Sequence, residues 1–133
     1  MNNFYNDKVQ DHTFSILVEN EPGVLARVIG LLSGRGYNID TLTVAEVDEE
    51  EGLSKITIVS SGTPMVLEQI RAQLERLVPV RAVSDLTVDG PSVERELALV
   101  KVAGEGESRV ESLRIADIFR ARAVDSTNTS FVF

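Results

Sequence analysis

The sequence contains no cysteine and a single histidine, His12. The lack of cysteine excludes a disulfide framework, thiolate metal sites and thiol catalysis within these 133 residues. His12 lies beside the first predicted strand without a serine or cysteine pattern near it, so neither a catalytic triad nor a zinc site can be assembled around it. The sequence therefore shows no recognisable catalytic centre.

Basic residues are also scarce, with 13 Lys and Arg against 21 Asp and Glu, which gives a net charge of −8. Nucleic acids and anionic membranes both select clustered positive charge, so neither is expected as a partner. The opening MNNFYNDKVQDHT lacks the apolar stretch of a signal peptide, and no run approaches 18 apolar residues. We therefore expect a cytoplasmic protein.

The apolar content of 43% is enough for a packed core, and its pattern over the first ninety residues predicts strands and helices in turn. The order is β-α-β-β-α-β, which indicates an α+β, ferredoxin-like fold with both helices on one face of an antiparallel sheet. The predicted strands are Thr13–Asn20, Asn38–Val47, Ser54–Ser61 and Val80–Asp89, and the predicted helices are about Gly23–Arg35 and a second one from Thr63–Pro64 to Pro79.

Gly90–Ser92 is the predicted boundary between two domains. Residues 1–12 form an N-terminal extension, residues 13–90 the first domain, and residues 91–133 the start of a second α+β domain. This second part reads as a strand (ERELALVKV), a helix (SRVESLRIADIFRA) and another strand (RAVDSTNTSFVF). Three elements rarely bury a core, so we expect the second domain to be incomplete.

The stretch ENEPGVLARVIGLLSGRGYNID carries the best candidate for a binding site. The helix start at Gly23, Val24 and Leu25 offers free backbone N–H groups and the positive end of the helix dipole, which can bind a carboxylate. Asn20 and Asn38 bracket this helix, and amide side chains can accept from an ammonium and donate to a carboxylate. A free amino acid needs that combination. The alternative is a Pro-Gly turn, a capping glycine and asparagines in ordinary turns.

Three further patterns favour structural roles. The acidic run Asp48–Glu51 lies at a hairpin tip, where consecutive carboxylates splay outward instead of surrounding a cation. The loop Val102–Arg109 lacks the third glycine of a dinucleotide-binding motif and carries two glutamates that would repel a pyrophosphate. Gly30, inside the first helix, marks close packing against the sheet or against a partner helix, or neutral drift.

The run ILVENEPGVLARVIGLLSGRGYNIDTLTVA closely resembles the start of the regulatory (small) subunit of acetohydroxyacid synthase, also called acetolactate synthase. The segments SKITIV, LEQIRAQLERLV, VERELALVKV and IADIFRARAVD continue the resemblance, which covers roughly Thr13 to Phe133. It implies an ACT domain with the ferredoxin-like fold, followed by a second domain that should continue beyond Phe133.

The resemblance also implies a function. Such subunits are not catalytic: they activate a large subunit that carries thiamine diphosphate, Mg²⁺ and FAD, and they confer feedback inhibition by valine or another branched-chain amino acid. No cofactor is expected in this chain. The effector would lie between two ACT domains of a homodimer, and the implied contact residues are Asn20, Gly23, Val24, Leu25, Asn38 and Ile39.

Other functions are open at this point. The main alternative is a stand-alone ACT-domain sensor of amino acids that acts on another enzyme or a regulator. A small ferredoxin-like hydrolase would need an arginine at the first β-α loop, which has none. An RNA-binding domain of this fold would need aromatic residues on its central strands, where threonine and valine occur instead.

Overall fold

The structure is a computed structural model that describes residues 8–133 and separates them into two compact units. The first unit ends at Val93 and the second comprises Glu94–Phe133, so the division falls close to the predicted Gly90–Ser92 boundary. Most of the predicted N-terminal extension, residues 1–7, lies outside the described residues.

The described part of the first unit contains four strands and two helices in the predicted order. They are β1 (Gln10–Glu19), α1 (Val24–Gly34), β2 (Thr41–Asp48), β3 (Leu53–Gly62), α2 (Pro64–Glu75) and β4 (Val80–Asp85). The strands form one antiparallel sheet in the order β2-β3-β1-β4. This is the ferredoxin-like arrangement, so the predicted α+β fold class is confirmed.

One face of the sheet and both helices form the core of this unit. On β1, Phe14, Ile16 and Val18 alternate toward the helices, and Ile58 and Ile56 of β3 lie opposite the first two. The helices contribute residues three or four positions apart, which places both on the same face of the sheet. These are Val24, Val28 and Leu32 of α1 and Leu67, Ile70 and Leu74 of α2.

The two helices begin in different ways. At α2, the Thr63 hydroxyl accepts a hydrogen bond from the Val66 N–H at 3.4 Å, and Pro64 occupies the first turn, as predicted. At α1, the residue before the helix is Gly23, whose φ of +82° is left-handed, and no side chain caps the helix. The end of α1 shows the predicted glycine: Gly36 has a φ of +72° and follows the last turn.

Strand β1 begins at Gln10, earlier than the predicted Thr13, within the segment assigned to the N-terminal extension. The run is polar, but His12 is buried in the structure, where its Nδ1 lies 2.6 Å from Asp85 Oδ2. Strand β4 ends at Asp85, earlier than the predicted Asp89. The Asp85 carboxylate and carbonyl accept from the backbone N–H groups of Thr87 and Asp89, and this turns the chain.

The second unit contains three short strands and one helix. They are β5 (Lys101–Ala103), α3 (Glu107–Ile118), β6 (Asp125–Ser126) and β7 (Ser130–Val132), with a sheet order of β5-β7-β6. The predicted strand ERELALVKV is therefore wrong except at its end. The predicted single strand RAVDSTNTSFVF is a hairpin, because Thr127 N–H donates to Ser130 O and closes a turn in its middle.

This unit buries little apolar surface. Ala116 and Phe131 are its buried apolar residues, whereas Leu97, Ile118 and Phe119 are exposed. An open groove of about 990 Å³ runs beside α3 and includes Val102 of β5 and Ile115 of α3 in its wall. Such exposure is what we expect of so few elements.

Candidate functional site

The N-terminus of α1 presents backbone N–H groups toward open space. The first hydrogen bond inside the helix runs from Arg27 N–H to Gly23 O, and Val24 N–H donates to Glu21 O at 3.2 Å. Among the described residues, none caps the N–H groups of Leu25 and Ala26, which belong to the unpaired first turn of a helix. A Cβ on Gly23 would meet no heavy atom within 4 Å, so an anion has room to approach.

Asn20 lies at this same end of the sheet. Its backbone N–H donates to Gly52 O at 2.7 Å, at the tip of the β2–β3 hairpin. Its side-chain Nδ2 donates to Glu46 Oε1 at 3.3 Å. The register places Glu46 opposite Ser54, and Ser54 opposite Val18, so Glu46 projects from the face that the helices cover.

Asn38 and Ile39 follow the other end of α1. The Asn38 side-chain Nδ2 donates to Asp40 Oδ1 and, at 3.2 Å, to Ser61 Oγ. The buried Ser60 hydroxyl donates to the Asn38 carbonyl and fixes the main chain at this point. Strand β2 begins at Thr41, three residues after the predicted Asn38. Ile39 packs partly buried against the core.

The six predicted contact residues therefore fall into two groups. Asn20, Gly23, Val24 and Leu25 lie near the start of β3, whereas Asn38 and Ile39 lie near its end. From Gly52, which binds Asn20, to Ser61, which binds Asn38, the chain is extended and spans about 30 Å. One protomer does not bring the two groups together.

The side chains of these residues differ in access. Val24 is 7% exposed and belongs to the core, so its side chain is not open to a ligand in a single chain. Leu25 is partly buried, and Asn20 and Asn38 are exposed. The two asparagines are therefore open to a ligand, whereas Leu25 and Ile39 expose only part of their side chains.

Sequence reasoning missed the residues that hold the asparagines, namely Asp40, Glu46, Ser60 and Ser61. Asp40 could have been found from its position two residues after Asn38, a common spacing for local side-chain contacts. Glu46 and the serines become neighbours only through the sheet register, which the sequence does not display.

The other candidate sites have structural explanations. Arg109 of the glycine-containing loop donates to Thr127 O at 3.1 Å and lies 4.1 Å from the centre of the Phe131 ring, so it anchors a hairpin. Asp48 accepts from the Glu51 N–H within the exposed acidic tip. From residue 8 onward no group of three or more His, Asp or Glu side chains is placed to hold a metal ion. Over the same residues, no helix combines the length and apolarity needed to cross a membrane.

Two family models match separate parts of the chain. Residues 14–82 match the AHAS small subunit-like ACT domain, which corresponds to the first unit. Residues 95–133 match the small subunit of acetolactate synthase, over the second unit.

Curated relatives carry the same description. The chain is 51% identical over 113 residues to the acetolactate synthase isozyme 3 small subunit of Escherichia coli, with 85% of this chain and 68% of that protein covered. It is 50% identical over 117 residues to the corresponding protein of Salmonella typhimurium, with coverage of 88% and 71%. It is 47% identical over 121 residues to the "Probable acetolactate synthase small subunit" of Archaeoglobus fulgidus, with coverage of 91% and 74%.

Solved structures agree. The acetolactate synthase small subunit of Thermotoga maritima superposes with a TM-score of 0.74 at 30% identity, over 92% of this chain and 76% of that one. The ACT domain of a GTP pyrophosphokinase from Chlorobium tepidum shares the fold, with a TM-score of 0.53 at 16% identity over 66% of this chain and 96% of that one. The chain belongs to the acetolactate synthase small-subunit family and carries that family's ACT domain in its first unit.

Proposed function

We propose that the chain is a non-catalytic regulatory subunit that binds valine in a homodimer and transmits that state to a catalytic large subunit. The large subunit supplies the thiamine diphosphate, Mg²⁺ and FAD, and this chain raises its activity and makes it sensitive to feedback. Membership of the small-subunit family supports the partner and the regulatory role.

The observation that carries the proposal is the position of the two groups of predicted contact residues, called half-sites below. The half-site of Asn20 and the start of α1 and the half-site of Asn38 and Ile39 lie at opposite ends of one edge strand. Strand β2 lies at the edge of the sheet. Asn38 precedes its first residue, and Asn20 contacts Glu46 near its end. When two copies of β2 pair antiparallel about a two-fold axis, the start of each strand lies beside the end of the other. The partner subunit's Asn38 then faces Asn20 and the start of α1.

The edge of β2 suits such pairing. An exposed strand edge offers unpaired backbone groups to a second chain. The segment from Thr41 to Ala45 carries no charged side chain, and Val44 is 43% exposed in the single chain. If the two-fold axis of the dimer passes near Val44 and Ala45, both half-sites lie within the interface.

A branched-chain amino acid fits the chemistry of the composite site. The free N–H groups at the start of α1 bind its carboxylate, and the asparagine side chains supply further hydrogen bonds to the zwitterion. Leu25 of one protomer and the partner subunit's Ile39 flank its side chain. Since one methylene changes affinity by only ~1–3 kcal/mol, leucine and isoleucine are expected to compete with valine.

Regulation then follows from differential affinity. An effector that binds one dimer arrangement more tightly shifts the population of the holoenzyme toward that arrangement. A coupling free energy of about 1–3 kcal/mol is sufficient for a five- to 150-fold change in affinity.

The test is a calorimetric titration of the full chain with L-valine, using two variants and their mixture. Asn20→Ala and Asn38→Ala should each abolish saturable binding. After subunit exchange, a mixed dimer combines the intact Asn20 of one chain with the intact Asn38 of the other. Binding should therefore return at about one quarter of the sites, since half of the dimers are mixed and each has one intact site of two.

Two results would contradict the proposal. Wild-type chain that is folded and binds no valine would exclude the effector site. Binding that is lost in both variants and does not return on mixing would show that each site lies within one protomer. The same proteins can also be added to a purified large subunit. Valine should then inhibit acetolactate formation with the wild-type chain, not with either single variant, and partly with the mixture.

A further inference from the structure

The hydrogen bonds of Asn38 determine which end of its amide is available. An ionised carboxylate accepts hydrogen bonds and donates none, so the amide nitrogen must be the atom that faces Asp40. Its second hydrogen is directed to Ser61 Oγ at 3.2 Å. Both donors of the amide are thereby used. Among the described residues no donor reaches Asn38 Oδ1, which remains open as an acceptor.

The Asn20 amide likewise directs its nitrogen toward a carboxylate. Its Nδ2 lies 3.3 Å from Glu46 Oε1, again a carboxylate oxygen that requires a donor. Its Oδ1 is the atom left without a described partner. The constraint is weaker than at Asn38, because only one of the two amide hydrogens is used.

We propose that Asn20 and Asn38 recognise the ammonium group of the effector through their side-chain oxygens, and that Glu46 and Asp40 are the positioning residues that hold them in this orientation. The proposal rests on the composite site proposed above. It makes the bound amino acid directional: the ammonium lies between the two amide oxygens, and the carboxylate lies on the N–H groups at the start of α1.

The negative charges reinforce the direction. The carboxylates of Asp40 and Glu46 contact the nitrogen sides of the two amides. Their negative charge favours a cation and disfavours an anion at the amide oxygens. The effector carboxylate is therefore left to the end of α1 that is free of capping side chains. Selectivity for an α-amino group over other substituents then depends on Asp40 and Glu46 as well as on the two asparagines that contact the effector.

The test compares L-valine with (S)-2-hydroxy-3-methylbutanoate, which has the same shape and a hydroxyl group in place of the ammonium. Calorimetry on the full wild-type chain should show at least about a tenfold preference for valine, as expected of hydrogen bonds to a charged group. Asp40→Asn removes the obligate acceptor and lets the Asn38 amide turn, so this preference should fall several-fold. Asp40→Glu should retain most of it.

Two further variants separate orientation from folding and from overall charge. Glu46→Gln acts on Asn20 and should lower the preference independently of Asp40→Asn. Glu50→Gln removes the same charge from the exposed hairpin tip and should leave the preference unchanged.

The outcomes distinguish this inference from the function it rests on. Absence of valine binding to the folded wild-type chain would overturn both. Valine binding with an equal affinity for the hydroxy acid would overturn the ammonium assignment alone. A wild-type preference that survives in both Asp40→Asn and Glu46→Gln would overturn the positioning roles.

Discussion

His12 and Asp85 form a buried polar contact inside the first unit. Their side chains are 11% and 8% exposed, and the ring Nδ1 lies 2.6 Å from the carboxylate. The other carboxylate oxygen accepts from Thr87 N–H at 3.1 Å, and the Thr87 hydroxyl accepts from Thr13 N–H at 3.0 Å. The pair therefore connects the start of β1 to the turn that follows β4.

Replacement His12→Leu should lower the free energy of unfolding by about 1–3 kcal/mol, because Asp85 stays buried after losing a donor. Urea denaturation followed by far-ultraviolet circular dichroism measures this difference. The control Asp11→Asn lies on the same strand but is exposed, so it should change stability by no more than about 0.5 kcal/mol.

A double variant tests whether the two side chains act as a pair. His12→Leu with Asp85→Asn should cost less than the sum of the two single changes, since the charge that needs the ring is gone. Equal stability of His12→Leu and the Asp11→Asn control would show that the contact contributes nothing to folding.

At the scale of the element, helix α1 contains one glycine that its backbone requires and one that it does not. Gly23, before the helix, has a φ of +82°, a backbone angle that residues other than glycine rarely adopt. Gly30 is exposed within the helix, and a Cβ there would meet no heavy atom within 4 Å. Close packing against the sheet of its own unit therefore does not explain Gly30.

The same substitution should have opposite effects at these two positions. Gly30→Ala should raise the free energy of unfolding by about 0.5–1 kcal/mol, because alanine has the higher helix propensity. Gly23→Ala should lower it by about 1–2 kcal/mol through backbone strain. Thermal unfolding of the two variants side by side provides the comparison. A loss of stability in Gly30→Ala would indicate a contact made by a second chain.

Elements with apolar periodicity and defined ends were predictable from the sequence. Helix α2 carries its cap at Thr63 and its apolar residues at helical spacing, and the structure begins it at Pro64. The elements that were missed lack such signals, for two different reasons. The start of β1 looked polar because burial of His12 needs Asp85, 73 residues away. The final hairpin looked like one strand because its turn is closed by threonine and serine hydrogen bonds.

At the scale of the whole molecule, the sequence indicated candidate residues for a site but not where they lie. Gly23 and the asparagines stood out through their positions at helix ends. The sequence placed them in one stretch, whereas the fold separates them by the length of a strand. Only the sheet order, with β2 at the edge, shows how two chains could bring the groups together.

The dimer proposed above predicts that a single charge on the edge of β2 separates the protomers. Val44→Lys should convert the dimer into a folded monomer, because lysine on an edge strand prevents strands from pairing across it. Val44 is already 43% exposed in the single chain, so the core should be little affected. Analytical ultracentrifugation measures the mass, and calorimetry should show that valine binding is lost together with the dimer.

The matched control is Val78→Lys, which introduces the same side chain after α2 at a residue that is 95% exposed. It should remain dimeric and bind valine as the wild type does. A Val44→Lys chain that stays dimeric with unchanged valine affinity would place the interface elsewhere. A Val44→Lys monomer that still binds valine would mean that each protomer completes its own site. That result would contradict the separation of the two half-sites by about 30 Å, the length of roughly nine residues of extended strand.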